Sequence, residues 1–255
     1  MTAISPAPVL SATGLNKRFG HVVGLDDVSV EVNSGEVLAI IGDNGAGKST
    51  LIKCLTGALI PDSGDIFVEG QRVDLRRPQD AQEYGIETVY QTLAVVPALN
   101  IARNMYLGRE QRVPGLVGKL FRTLDTKGMR DRAKERVDAL GIQTIQDMDV
   151  AVENLSGGQR QAVAVARAAA FGSRVIVLDE PTAALGVRES AQVLDLIKGL
   201  RERGLGVVLI SHNMPHVWEL ADRIQVQRLG RRIHVITPDS HSMTDGVAMM
   251  TGALE

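Results

Sequence analysis

A glycine-rich loop at residues 42–49 constrains the fold more than any other feature, because it directly follows a run of five aliphatic residues. The run, residues 37–41, has the continuous apolar character of a strand that is buried on both faces. A helix is predicted from Lys48 to about Ala58, closed by a turn at residues 61–64. A glycine turn that occurs by chance would not be flanked by a buried strand and a helix. This order of elements favours an α/β fold.

The loop itself predicts a phosphate site. It reads Gly42-Asp43-Asn44-Gly45-Ala46-Gly47-Lys48-Ser49, followed by Thr50, and matches the pattern G-x-x-x-x-G-K-[ST]. Its glycines let backbone N–H groups surround phosphate oxygens. We expect Lys48 to reach the β- and γ-phosphates and the Ser49 hydroxyl to coordinate Mg²⁺.

A second phosphate-binding element is predicted at Leu155-Ser156-Gly157-Gly158-Gln159. Two glycines in the first turn of a helix each cost about 1 kcal/mol relative to alanine, which indicates a need for bare backbone. Ser156 as N-cap and Gln159 at the third helical position predict a capping box. Exposed N–H groups at a helix start bind anions. Because the chain has one nucleotide to bind and already has a phosphate loop, the second element is interpreted as binding the nucleotide of a partner chain.

Polar residues follow three further predicted strands at their carboxyl ends, where ligands bind in open α/β sheets. These strands span residues 86–90, 175–178 and 207–210, and the polar residues after them are Gln91, Asp179, Glu180, Ser211 and His212. Together with the glycine loop, four strand ends are therefore predicted to meet at one site.

Each of these side chains has a predicted role. Adjacent strand residues point to opposite faces, so Asp179 is assigned to the metal and Glu180 to the water that attacks the γ-phosphorus. Gln91 is a candidate metal ligand and γ-phosphate sensor, and His212 a candidate hydrogen-bond donor to that phosphate. Phe19 is a candidate stacking surface for the base, although an aromatic residue on a short strand is as often part of a core.

Residues 92–158 are more charged and are interpreted as an inserted helical subdomain, with an amphipathic helix at residues 122–141. The basic residues from Arg109 through Lys119 to Arg136 alternate with acidic ones. A solvated helix face is therefore favoured there over a polyanion site.

The composition argues against nucleic-acid binding and bears on the compartment in which the chain works. The net charge of −2 and the pI near 6.2 argue against broad nucleic-acid binding. The single cysteine, Cys54, excludes an internal disulfide and fits a reducing compartment. Neither a signal-peptide pattern at Met1–Pro6 nor a run of about 20 apolar residues is found, so a cytoplasmic chain that reaches a membrane only through partners is expected.

These motifs occur in the order found in ATP-binding cassette (ABC) ATPases, and the chain resembles that family over roughly residues 9–235. The resemblance implies an α/β, P-loop NTPase (RecA-like) core with an N-terminal antiparallel β subdomain and an inserted α-helical subdomain. It also implies a head-to-tail homodimer in which each ATP lies between the glycine loop of one chain and residues 156–159 of the other. The expected limits are residues 7–238 for the ATP-binding domain, with the insert at about 92–158, and 239–255 for a short tail.

Residues 92–100, 104–110 and 180–185 are similar to those of carbohydrate importers, in the single-cassette, fructose-type form. This resemblance implies an ATPase that energises monosaccharide uptake at the cytoplasmic face of the inner membrane, with permease subunits and, indirectly, a sugar-binding protein as partners. Gly186 is a departure, because the family usually has an aspartate there that couples the two sites.

Two alternatives remain open at the level of sequence. One is a non-transport ABC ATPase that acts in translation or DNA repair, although such proteins generally carry paired cassettes or long coiled-coil insertions, which this chain lacks. The other is a regulator that binds ATP and turns over little of it.

Overall fold

The computed structural model describes residues 7–115 and 120–254. It divides into two compact units. The first, here called the core unit, comprises the described residues up to Gln91 with 171–181 and 197–254; the second, the helical unit, comprises 92–170 and 182–196. The limits expected from the sequence, 7–238 with an insert at 92–158 and a tail from 239, stay a prediction. Lys119 and the segment Met1–Pro6 lie outside the described residues.

The larger sheet of the core unit is mainly parallel. Within the described residues its strand order is β10-β9-β3-β8-β7-β6. The strands β3, β6, β7, β8 and β9 run parallel to one another, whereas β10 pairs antiparallel with β9. The bounds are β3 Val37–Ile41, β6 Ile86–Val89, β7 Val175–Asp179, β8 Gly206–Ile210, β9 Arg223–Arg228 and β10 Arg231–Ile236.

Strand β3 is buried on both faces, as the aliphatic run predicts. Leu38 and Ile40 pack in one hydrophobic cluster, and Ala39 and Ile41 pack in another. All five of its residues are buried. The strand that carries the glycine loop is thus fixed at the centre of the sheet.

The smaller sheet of the core unit is antiparallel, with the order β2-β1-β4-β5 among the described residues. Its strands are β1 Leu10–Phe19, β2 Val22–Val32, β4 Ser63–Val68 and β5 Gln71–Val73. The expected N-terminal antiparallel subdomain is confirmed, although β1 and β2 are longer than the short pieces that the pattern suggested. Their pairing shifts register between Ala12 and Arg18, and these irregularities interrupt the alternation of apolar and polar residues.

The helices differ from their predicted bounds at the ends. Helix α1 ends at Leu55, not Ala58, because Gly57 has a φ of 68° and stops the helix. The amphipathic helix begins at Thr126, not Arg122, because Arg122 has a φ of 53° and Asp125 provides the N-cap. The helices are α1 Lys48–Leu55, α2 Pro78–Glu83, α3 Ile101–Met105, α4 Thr126–Ala139, α5 Gly157–Phe171, α6 Val187–Glu202, α7 Met214–Leu220 and α8 Met243–Thr251.

Helix α4 exposes a salt-bridged face. Arg132 pairs with Asp125 at 2.9 Å, and Lys134 pairs with Asp138. Such exposed pairs fit the solvated face expected for this segment. No helix within residues 7–115 and 120–254 combines the length and the apolar character needed to cross a bilayer.

Candidate active site

The glycine loop joins β3 to α1 and passes close to neighbouring backbone. A Cβ atom on Gly42 would lie 2.2 Å from the carbonyl oxygen of Gln227, and one on Gly47 would lie 2.4 Å from that of Gly24. Their φ angles, 156° and 97°, also favour glycine. The loop therefore keeps this path only with glycine at both positions.

Lys48 points its amine back into the loop. Its Nζ donates hydrogen bonds to the carbonyl oxygens of Gly42 at 2.5 Å and Asp43 at 3.0 Å. Burial lowers the pKa of Lys48, while the charges of Glu180, Asp43 and Asp179 act in the opposite direction. These carboxylates help to keep a positive charge beside the loop.

The predicted strand ends meet at one cavity of about 530 Å³ in the core unit. It is lined by Gly42, Asp43, Asn44, Lys48, Ser49, Gln91, Asp179, Glu180, Ile210, His212 and Met250. The structure thus brings the loop together with the candidate residues after β6, β7 and β8. What these residues bind and catalyse stays a prediction at this point.

Glu180 and His212 form a direct pair in this cavity. His212 Nδ1 lies 2.8 Å from Glu180 Oε2, and the His212 backbone N–H lies 3.4 Å from the same oxygen. Because a carboxylate oxygen only accepts hydrogen bonds, the proton of the 2.8 Å contact belongs to Nδ1. The Glu180 side chain is 13% exposed and that of His212 is 75% exposed.

The alternation argument used for Asp179 and Glu180 is wrong for the second residue. Strand β7 ends at Asp179, and Glu180 has a φ of 52°, in the left-handed region. This turn determines the direction in which the Glu180 side chain leaves the backbone. The backbone N–H of Glu180 donates to the carbonyl oxygen of Ile210 at 2.9 Å.

Asp179 is partly withdrawn from water. Burial raises the pKa of its carboxyl, and the charge of Glu180 raises it further, while Lys48 and Lys53 lower it. Together with the Ser49 hydroxyl and the Gln91 amide, the Asp179 carboxylate provides hard oxygen ligands. Such ligands suit Mg²⁺, which also binds phosphate oxygens.

Phe19 borders an adjoining cavity of about 270 Å³ with residues 22–24 and 44–50 of the core unit. Phe19 is 49% exposed, and Lys17 Nζ lies 6.0 Å from the ring centroid. Phe19 is therefore a surface residue at the end of β1, in reach of the loop, rather than part of the core.

The capping box at the start of α5 is confirmed. The Ser156 N–H donates to Gln159 Oε1 at 2.9 Å, and the Gln159 N–H donates to Ser156 Oγ at 3.2 Å. Gln159 Nε2 also donates to the Thr144 carbonyl at 3.0 Å. Ser156 and Gly157 are exposed, so this helix start is accessible from solvent.

Gly158 has a packing reason that sequence reasoning missed. A Cβ on this buried glycine would lie 2.6 Å from both Cβ and Cγ of Glu189, on the first turn of α6. The Glu189 carboxylate also lies over Gly186, where a Cβ would be 2.5 Å from Oε2. Only the structure relates these residues, since 31 positions separate Gly158 from Glu189 in the chain.

Met250 and Gln227 were also missed. Met250 comes from α8, in the segment interpreted as a tail, yet it lines the cavity beside the loop. Gln227 on β9 lies against Gly42 and Gly47 of the loop. No local motif marks either residue, because both reach the site through pairing and packing of distant segments.

Comparison with known proteins gives concordant matches. The family model described as ABC transporter matches residues 25–183. The fructose import ATP-binding protein FrcA of Rhizobium meliloti is 59% identical over 248 residues, covering 97% of this chain and 95% of the relative. The xylose/arabinose import ATP-binding protein XylG of Sulfolobus acidocaldarius is 49% identical, covering 88% and 86%.

Other matches extend this picture. The ribose import ATP-binding protein RbsA 1 of Rubrobacter xylanophilus is 41% identical over 96% of this chain but only 47% of its own length. A nucleotide-free ATP-binding cassette from an ABC transporter superposes with a TM-score of 0.80 at 27% identity, covering 95% of each chain. A cassette in its ADP conformation gives a TM-score of 0.78 at 26% identity, covering 96% and 95%.

Proposed function

We propose that this chain, which belongs to the ABC transporter family of ATP-binding proteins, powers the import of a monosaccharide, with fructose as the first candidate. The family assignment carries ATP binding and hydrolysis with it. The sugar is proposed from the relatives, whose names include fructose, xylose, arabinose and ribose.

The observation that best supports hydrolysis at this site is the Glu180–His212 pair in the cavity that Lys48 also lines. In the proposed reaction, Lys48 and the backbone N–H groups of the loop bind the phosphates. Glu180 accepts a proton from the attacking water. His212 orients Glu180 through Nδ1–H, and its doubly protonated form also donates through Nε2–H to the γ-phosphate, while Phe19 stacks on the base. Catalysis of this kind consists mostly of positioning and electrostatic stabilisation.

Ser49, Gln91 and Asp179 are the proposed Mg²⁺ ligands. One hydroxyl, one amide oxygen and one carboxylate leave room for phosphate oxygens and water, as Mg²⁺ prefers. When bound, the ion would neutralise charge on the phosphates. Asp179, whose carboxyl is disfavoured as a bare anion by burial, would be stabilised by such a cation.

The proposed working form is a homodimer. Ser156, Gly157, Gly158 and Gln159 would complete the site of a second copy, as an accessible capped helix start is suited to do. The proposed partners are permease subunits and, through them, a sugar-binding protein, and the proposed place is peripheral, at the cytoplasmic face of the inner membrane. Nucleic acid is not a proposed partner, because the net charge is −2.

Reconstitution tests this function. The purified chain is mixed in proteoliposomes with a candidate permease and a candidate sugar-binding protein from its source organism, and uptake of labelled fructose, xylose and ribose is measured with ATP. ATP-dependent uptake of one sugar is expected, and it should vanish with Lys48→Ala.

Two results would contradict the proposal. One is ATP hydrolysis that responds to ribosomes or DNA but not to the permease, which would identify a motor of another kind. The other is ATP binding without measurable phosphate release under any of these conditions, which would identify a regulator.

A further inference from the structure

Strand β9 and the turn that follows it contact the phosphate loop at three points of the core unit. The Gln227 carbonyl oxygen lies 2.2 Å from the position of a Gly42 Cβ, and the Gln227 side-chain Nε2 lies 3.1 Å from the position of a Gly47 Cβ. Just beyond the strand, the Gly230 N–H donates to the Ala46 carbonyl at 3.1 Å. The loop therefore packs against β9 and the turn after it at Gly42, Ala46 and Gly47.

Gln227 is a costly residue for this position. It is 0% exposed, and neither Nε2 nor Oε1 of its amide has a hydrogen-bond partner among the described residues. A buried amide without partners is unfavourable, and an apolar side chain of the same length would avoid that cost. A partner formed in another state of the protein would offset it.

The Gln227 amide lies against the loop at Gly47. The N-cap residue of helix α1 is Gly47, which provides no side-chain cap. The first N–H groups of a helix need acceptors, and a loop that closes around phosphates redirects its peptide groups. The amide of Gln227, already against Gly47, offers both an acceptor and donors to such groups.

We propose that Gln227 is a positioning residue for the phosphate loop, whose side-chain amide hydrogen-bonds the loop backbone in the ATP-bound state and so holds Gly42 and Gly47 in their binding conformation. This rests on the proposed function, and it assigns Gln227 no contact with ATP itself.

The chain offers a matched control, because Gln225 occupies the same strand two residues earlier. Gln225 is 1% exposed, its Nε2 is also without a partner among the described residues, and it pairs with Ile40 inside β3 rather than with the loop. Gln225→Met and Gln227→Met each remove one buried amide and keep the length of the side chain.

The test measures ATP affinity by equilibrium titration, KM and kcat for hydrolysis, and the thermal midpoint. Gln227→Met is expected to raise Kd and KM for ATP roughly five- to tenfold, the size of one hydrogen bond, with kcat within about twofold of the unsubstituted chain. Gln225→Met is expected to leave Kd, KM and kcat within about twofold. Neither substitution is expected to lower the thermal midpoint without nucleotide.

Three outcomes would overturn the inference. One is an unchanged ATP affinity of Gln227→Met in a chain that otherwise binds ATP, and another is an equal loss in Gln225→Met, which would indicate a general effect of the strand. The third is unfolding of Gln227→Met and of Gln227→Leu, since the amide would then already be partnered without nucleotide. Failure of the unsubstituted chain to bind ATP would instead overturn the proposed function, and this inference with it.

Discussion

At the scale of single residues, the site depends on two neighbouring acids in different surroundings. Asp179 ends a buried strand and has a raised pKa, whereas Glu180 turns away in the left-handed region and pairs with His212 at 2.8 Å. The difference in surroundings supports different roles, one carboxylate for the metal and the other for water.

Glu180→Gln is expected to keep ATP binding but to lower kcat at least about a hundredfold, the lower range for removal of a general base. The amide keeps the size of the side chain but cannot accept a proton from water. Phosphate release measures turnover, and size-exclusion chromatography with ATP should show a trapped dimer. Glu202→Gln, on the exposed end of α6, is the control and should match the unsubstituted chain. Equal rates in both variants would remove Glu180 from catalysis.

The raised pKa of Asp179 predicts a pH-dependent stability without nucleotide. A carboxyl whose folded pKa is raised destabilises the protein when it is ionised, and this loss of stability develops as pH rises from the unfolded pKa through the folded pKa. Asp179→Asn should therefore raise the urea midpoint at pH 7. The gain should shrink below pH about 4, where Asp is protonated in both states. A gain that is equal at pH 7 and at low pH, or a loss, would contradict this reading.

At the scale of elements, the start of α5 combines local and distant causes. The Ser156–Gln159 capping box is a local motif, whereas Gly158 is fixed by the Glu189 side chain on α6. One glycine of the pair therefore serves packing within the helical unit, while Gly157 stays exposed at the helix start.

Two glycine substitutions separate packing from helix propensity. Gly158→Ala would place a methyl group 2.6 Å from Glu189 and is expected to lower the free energy of unfolding by about 1–3 kcal/mol through overpacking. Gly199→Ala, within α6 where a Cβ meets nothing within 4 Å, is expected to raise it by about 1 kcal/mol. Urea denaturation measures both. A neutral or stabilising Gly158→Ala would show that Glu189 moves aside at little cost.

Local sequence patterns predicted the elements best where one short segment determines the structure. The aliphatic run 37–41, the glycine loop and the capping box of α5 were all predicted because their signals lie within a few residues. The start of α4 was wrong because nothing in the pattern marks the left-handed Arg122. Met250 and Gln227 escaped prediction because strand pairing and helix packing bring them to the loop from the last quarter of the chain.

At the scale of the whole molecule, the proposal requires two copies of the chain. A phosphate loop and a separate capped helix start are each suited to bind phosphate, and a symmetric head-to-tail dimer would use both twice. Hydrolysis should then rise more steeply than linearly with protein concentration.

Mixing two inactive variants tests the shared site. Ser156→Arg blocks the helix start and Lys48→Ala disables the loop, so each variant alone should be nearly inactive. In an equal mixture, half of the dimers are mixed and each has one intact site, so about a quarter of the parental ATPase rate is expected. Activity no greater than the sum of the separate variants would rule out the shared arrangement. Mixing Ser156→Arg with Glu202→Gln, on the exposed end of α6, controls for the presence of intact loops and helix starts.

The left-handed turn at Glu180 has an evolutionary consequence. A residue other than glycine in that conformation costs on the order of 1 kcal/mol or more, so glycine at position 180 would make a sturdier protein. Laboratory selection for heat resistance alone would favour that exchange, and under the proposed mechanism the selected proteins would be stable but inactive. Stability and catalytic activity therefore favour different residues at position 180. Only a selection that requires growth on the transported nutrient would retain glutamate there.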